Sequence, residues 1–180
     1  KLEIISVGRC HWKKGYTTAL DAMNKINIEG IQFHYTIIAS GIDNENILYQ
    51  IDDLNLQDNV TFINGLPHSK VLQRLKKSDL FLLSSVEEGI SNAALESMAL
   101  GIPVITTNCG GMSEVIQNGI NGFIVPFRDA HAIAVGIMEF IKLTKDNKNK
   151  IINNALETIK QNHLLSRQIS AISSIYRDYI

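Results

Sequence analysis

The sequence predicts an α/β domain wound on both faces of a parallel sheet, and three observations predict it. Short apolar runs rich in Ile, Val, Phe and Tyr recur along the chain, each the length of a buried strand. Between them lie longer stretches whose apolar residues return every three or four positions, the period of a helix with one buried face. Glycine, proline and asparagine mark the joins. This alternation is the signature of parallel strands joined by helical crossovers, so a doubly wound, six-stranded, Rossmann-like sheet is expected. The 180 residues suit one domain with a sizeable core.

Leu2 to Val7 reads as the first strand and Gly15 to Ile26 as the first helix. Phe33 to Ala39 is a second strand, followed by a helix from Asn44 to Leu54. Val60 to Ile63 is a third strand, with a short helix over Ser69 to Lys76 behind it. Leu80 to Ser84, a helix from Ser91 to Leu100, and Val104 to Thr106 follow, with Pro103 at the entry to the last of these. A short helix is expected near 112–117, a sixth strand over Gly122 to Val125 and a helix over Ala130 to Leu143. Beyond Thr144 the pattern changes. Residues 146–162 and 164–179 read as two helices with no strand between them, and Lys145 to Lys150 as a solvated joint.

Composition narrows the function classes. A hydrophobic fraction of 45% is that of a globular domain, and a net charge of −1 argues against a broad nucleic-acid surface. No apolar run approaches the roughly 20 residues that cross a bilayer. Two cysteines far apart make no disulfide framework, and a reducing cytoplasm is the expected compartment. The chain starts at Lys1 and passes at once into a strand pattern, so it is expected to be part of something longer.

The stretch that organises the rest is Ser84 to Val104: strand end, turn, helix and next strand. The turn carries Glu87, Glu88 and Gly89, the helix carries Glu96, Ser91 or Asn92 stands in capping position, and Gly101 ends the helix. In open parallel sheets, ligands sit outside the carboxyl ends of the strands, where helices begin. The N–H groups of Gly89, Ile90, Ser91 and Asn92 are expected to face that crevice and to suit a phosphate. Glu96 lies roughly 6–8 Å further along the helix. An anion at the helix start thus has Glu88 toward one end and Glu96 toward the other, the layout of a nucleoside diphosphate sugar. Acidic residues before a helix are also mildly stabilising without any function, and Glu87 is read that way. Glu96, among Ala93, Ala94, Leu95, Met98 and Ala99, needs a partner, which a ribose or an internal cation would provide.

Glu88 and Glu96, set in E-G-I-S-N-A-A-L-E-S-M-A-L-G-I-P-V, closely resemble the E-x7-E region of family 4 (group 1) retaining glycosyltransferases of the GT-B fold. The resemblance implies that this chain is the C-terminal, donor-binding half of such an enzyme. The last helix, with Ile169, Ile172, Ile175 and Tyr179, would then cross to a separate N-terminal domain; packing on this domain's own sheet is the alternative. It also implies transfer of a sugar from a nucleotide donor, UDP- or GDP-linked, to an acceptor glycan or lipid-linked glycan with the anomeric configuration kept. The longer protein would be cytoplasmic or peripheral at the inner face of a membrane. Glu88 would be the catalytic or sugar-orienting carboxylate.

The other loops extend the resemblance. Gly8 to Gly15 is similar to the family's donor-phosphate loop G-R-x4-K-G, which implies that Arg9 and Lys14 contact the diphosphate, with Lys13 a weaker candidate. Cations there also suit a diphosphate on chemical grounds, Arg by paired hydrogen bonds. Ser40 and Gly41 stand where the family is more glycine-rich, and Gly65 lies in the loop similar to the one beside the base. Gly110 and Gly111 resemble the family's G-G-x-x-E turn, with Glu114 more simply a helix-dipole partner. Pro67 and His68 read as the start of a helix, and His11 beside Cys10 makes poor metal chemistry without further ligands. No D-x-D occurs, so no metal or other cofactor is expected, the charge on the diphosphate being met by cations and helix N-termini. The rival readings are an epimerase on the same architecture and a non-catalytic nucleotide-sugar-binding module. A dinucleotide-dependent oxidoreductase is disfavoured, because no G-x-G-x-x-G follows the first strand.

Overall fold

The computed structural model describes residues 1–42 and 44–163. Strands β1 (Leu2–Arg9), β2 (Phe33–Ser40), β3 (Val60–Ile63), β4 (Leu80–Leu83), β5 (Val104–Thr107) and β6 (Phe123–Val125) form one sheet in the order β3-β2-β1-β4-β5-β6. All five pairings are parallel. The helices are α1 (Tyr16–Ile28), α2 (Glu45–Asp53), α3 (His68–Leu75), α4 (Asn92–Ala99), α5 (Met112–Val115), α6 (Ala130–Lys142) and α7 (Lys145–Asn162). The doubly wound sheet expected from the sequence is the fold observed.

Strand order places the helices, because parallel crossovers are right-handed. The chain steps outward from β1 to β3, then returns across the sheet to β4 and steps outward the other way. The reversal puts α1 and α2 on one face and α3, α4 and α5 on the other. Two separate cores result. Leu20, Met23 and Ile26 of α1 pack with Ile47 and Ile51 of α2 and with Ile133, Ile137 and Phe140 of α6 on the first face. Val71, Leu75, Ala94, Met98, Met112, Ala155 and Ile159 of α3, α4, α5 and α7 pack on the second. Central strands buried on both faces read as unbroken apolar runs, as Leu80–Leu83 does.

Several boundaries differ from expectation, each for a local reason. β1 runs on to Arg9 because it pairs with β2 as far as Arg9 beside Ser40, so Gly8 and Arg9 end the strand rather than open the loop. Trp12–Lys14 forms a short 3₁₀ turn whose amino end His11 caps, and α1 begins only at Tyr16. Residues 145–150 are not a joint: Thr144 Oγ1 accepts from Asn147 N–H and starts α7 there. Lys148 Nζ lies 4.6 Å from the Phe140 ring centroid, so part of that charged stretch packs back on α6. The expected helix over 164–179 lies outside the described residues. No helix among the described residues is long and apolar enough to cross a membrane.

Candidate functional site

The strand order reverses between β1 and β4, and the crevice outside their carboxyl ends is where such sheets take ligands. The loops after these two strands meet there. Gly15 has φ +62, and a Cβ on it would lie 2.1 Å from the Ser84 carbonyl oxygen. Only glycine lets the two loops touch. Ser84 Oγ donates to the Lys14 carbonyl at 2.8 Å, and the Val86 N–H donates to the Lys13 carbonyl at 2.7 Å. Two ion pairs bridge the same loops: Lys13 Nζ with Glu87 Oε1 at 2.7 Å, and Lys14 Nζ with Glu88 Oε2.

The two pairs differ in worth. Lys13 and Glu87 are well exposed, and such a pair contributes about 0–1 kcal/mol after solvent screening. Lys14 and Glu88 are only 17% and 18% exposed, and Ser85 Oγ also donates to Glu88 at 3.2 Å. In this half-buried setting the attraction is stronger, and so is the cost of removing either partner alone.

The turn after β5 braces Glu88 from the other side. Gly110 has φ +53, and a Cβ there would lie 1.4 Å from the Glu88 carbonyl oxygen. The Gly111 N–H donates to the Gly89 carbonyl at 3.0 Å, and Thr107 Oγ1 donates to the Ser85 carbonyl. Gly110 and Gly111 therefore support the Glu88 loop, where the sequence suggested close approach to ligand. Buried Cys109 sits in the same turn, and burial pushes its thiol pKa up.

Ser91 caps α4, its hydroxyl accepting from the Ala94 N–H at 3.4 Å. Its own N–H does not face the crevice as expected: Ser91 is buried, and that N–H points at Met112 Sδ, 3.3 Å away. Gly89, Ile90 and Asn92, all exposed, keep N–H groups without a hydrogen-bond acceptor among the described residues. Glu96 is 34% exposed and meets His68 Nε2 at 2.9 Å across the gap between α4 and the first residue of α3. The partner its position called for is thus a histidine. No local sequence signal points to this pair, but the return crossover from β3 to β4 lays α3 beside α4 on one face.

The remaining candidates line the shelf beyond β1. Arg9 ends that strand, is exposed, and makes no ion pair among the described residues. Its neighbour across the ladder is Ser40. Gly65 approaches the same residue, its Cβ position 3.4 Å from Ser40 Cβ. Gly41 packs on Cys10, with 3.1 Å between its Cβ position and Cys10 Cβ, which accounts for that glycine without a ligand. Among the described residues no group of three or more His, Cys, Asp or Glu side chains could hold a metal ion. A hollow of about 780 Å³ lies at the opposite end of the sheet, among Leu2, Asp79, Pro103 and Phe140, remote from all of these groups.

Fold and crevice define a doubly wound α/β domain with cations and carboxylates facing each other at the switch point. Residues 1–158 match the family described as Glycosyl transferases group 1, and the chain belongs to that family. A putative colanic acid biosynthesis glycosyltransferase, WcaL of Salmonella typhimurium, is 32% identical over 180 residues, which are 95% of this chain and 44% of that protein. The amylovoran biosynthesis glycosyltransferase AmsK of Erwinia amylovora is 31% identical over 179 residues, with the same shares. The chain thus spans a little under half the length of these relatives. Among solved structures, a glycosyltransferase from Rickettsia africae superposes with a TM-score of 0.88 at 26% identity, over 99% of this chain and 48% of that one. Anabaena Alr3699/HepE, solved with UDP, gives a TM-score of 0.88 at 20% identity, over 99% and 49%, a likeness of fold alone.

Proposed function

We propose that this chain is the nucleotide-sugar-binding half of a retaining glycosyltransferase, acting in polysaccharide or glycoconjugate synthesis. One observation carries the reading. In a chain of the group 1 family, Arg9, Lys13 and Lys14 stand across the switch point from Glu88 and the start of α4, with Glu96 further along that helix. A diphosphate in the crevice takes paired hydrogen bonds from Arg9, the Lys14 ammonium, and the N–H groups of Gly89, Ile90 and Asn92. The sugar then lies toward Glu88 and the ribose toward Glu96. Negative charge grows on the diphosphate as the glycosidic bond breaks, and fixed donors aimed at it stabilise that charge without a metal ion.

The acceptor site and the rest of the cleft belong to an N-terminal domain outside this chain, in keeping with relatives about twice its length. Ser40 and Gly65 border the place for the base. The test is calorimetric titration of this chain with a panel of UDP-, GDP- and ADP-sugars and the matching free sugars. The reading expects binding to nucleotide sugars and none to the free sugars; a chain that binds no member of the nucleotide panel would end it.

A further inference from the structure

One buried polar group at the site has no task in the scheme above. Tyr16 begins α1 with its ring in the core, and its hydroxyl is shut off from solvent with no hydrogen-bond partner among the described residues. The nearby buried hydroxyls are satisfied: Tyr35 Oη donates to Ser6 Oγ at 2.8 Å, and Ser6 Oγ donates to the Leu82 carbonyl. An unmade hydrogen bond on a buried hydroxyl destabilises the state that leaves it unmade. Such a group invites the question of which other state satisfies it.

Gly8 ties the hydroxyl to the site. A Cβ at position 8 would lie 2.8 Å from Tyr16 Oη and 3.1 Å from Lys14 Cε, so hydroxyl and lysine stem border one notch at the end of β1. The far end of that stem is the ammonium that holds Glu88. A diphosphate that recruits Lys14 therefore strips a half-buried carboxylate of its counter-ion, which is costly unless another donor replaces it. Burial, with smaller contributions from Tyr35, Cys10 and Glu88, raises the Tyr16 pKa, so the phenol keeps its proton and remains a donor.

We propose that Tyr16 is a positioning residue for Glu88: when a bound diphosphate draws Lys14 away, Tyr16 Oη donates to the Glu88 carboxylate in the lysine's place. The inference rests on the donor-site reading above. The exchange satisfies in the complex a hydroxyl left unsatisfied in the free chain. It also keeps Glu88 fixed from two sides, by Tyr16 and by Ser85, while Lys14 serves the phosphate. The resulting bond to an ionised acceptor is of the stronger, charge-assisted kind.

A double-mutant cycle with Tyr16→Phe and Glu88→Gln, read by calorimetric titration of this chain with UDP and GDP, tests the proposal. Tyr16→Phe is expected to weaken binding of the preferred nucleotide about tenfold when Glu88 is present and less than about twofold in the Glu88→Gln background. The free Tyr16→Phe chain is expected to melt no lower than wild type, since the hydroxyl it loses made no bond. Equal weakening in both backgrounds would mean that the hydroxyl meets the ligand itself and would overturn the proposal. Unchanged affinity with Glu88 present, or a markedly lower melting temperature, would overturn it too. A wild-type chain that bound neither nucleotide would fail in the donor-site reading first, and the proposal would fall with it.

Discussion

Replacing Gly110 by alanine perturbs the loop that carries Glu88 without altering any charged side chain. The new Cβ would lie 1.4 Å from the Glu88 carbonyl oxygen, and the backbone at 110 is left-handed, with φ +53. Non-bonded heavy atoms settle near 3.5–4 Å, so relief requires the Glu88 loop or the turn after β5 to move by about 2–2.6 Å. The left-handed backbone costs an alanine about 1–2 kcal/mol, and overpacking of this kind typically costs a further 1–3 kcal/mol. Gly119 supplies the control, with φ +73 and nothing within 4 Å of its Cβ position. Gly119→Ala therefore bears the backbone cost alone. We predict a loss of stability of about 2–5 kcal/mol for Gly110→Ala against about 1–2 kcal/mol for Gly119→Ala, measured by urea unfolding. Calorimetry with a nucleotide sugar should show weakened binding only for Gly110→Ala, because only that change displaces Glu88. Equal stability losses, or intact binding by Gly110→Ala, would refute the argument that this turn holds the carboxylate.

Further predictions address the other groups. Glu96→Gln keeps shape but removes charge-assisted bonds to ribose hydroxyls, so affinity for UDP or GDP should fall by about 1.5–3 kcal/mol. Inorganic diphosphate should bind as before; equal loss for both ligands would mean that Glu96 serves the fold through His68. Nucleotide binding should survive a chelator, since Arg9, Lys14 and the start of α4 supply the positive potential; a requirement for magnesium or manganese would contradict this. Burial raises the pKa of Tyr16 and of Tyr35 above the ordinary value of about 10. The folded chain then holds protons that the unfolded chain releases above about pH 10, so stability is unaffected below that pH and falls as pH rises beyond it. Tyr16→Phe should shallow the alkaline fall in urea midpoint, and an unchanged slope would contradict the assignment. This chain alone should bind a donor yet transfer no sugar, because holding the acceptor in place is worth about 7–11 kcal/mol of the barrier. Robust transfer by the isolated chain, assayed as donor consumption with candidate acceptors, would sink the half-enzyme reading.

The fold was legible because its central strands are covered by helices on both faces. Burial on both sides leaves unbroken apolar runs such as Leu80–Leu83, and the helical spacing between them is equally plain. Boundaries at the carboxyl ends were less legible, since β1 reaches Arg9 through pairing with β2, a contact 31 residues away in sequence. The site divides in the same way. Glu88, Glu96, Arg9 and Lys14 stood out because their string resembles a family's, but the pairs they form did not. Lys14 meets Glu88 across 74 positions and His68 meets Glu96 across 28, distances over which a linear pattern carries no signal. Gly110 looked like a ligand contact because a glycine pair permits close approach by any backbone, and only packing shows that the approaching backbone is Glu88's own. Tyr16 gave no sign at all, since a tyrosine opening a helix looks like core.

The central claim is that the crevice between β1 and β4 receives the diphosphate of a nucleotide. The most direct measurement is a crystal structure of this chain grown with UDP or GDP, whichever binds more tightly. The account predicts diphosphate density between Arg9, Lys14 and the start of α4, the ribose hydroxyls at Glu96 in place of His68, and the Lys14–Glu88 pair broken. Nucleotide density elsewhere, such as the hollow near Phe140 and Lys148, or an intact Lys14–Glu88 pair beneath a bound diphosphate, would contradict it.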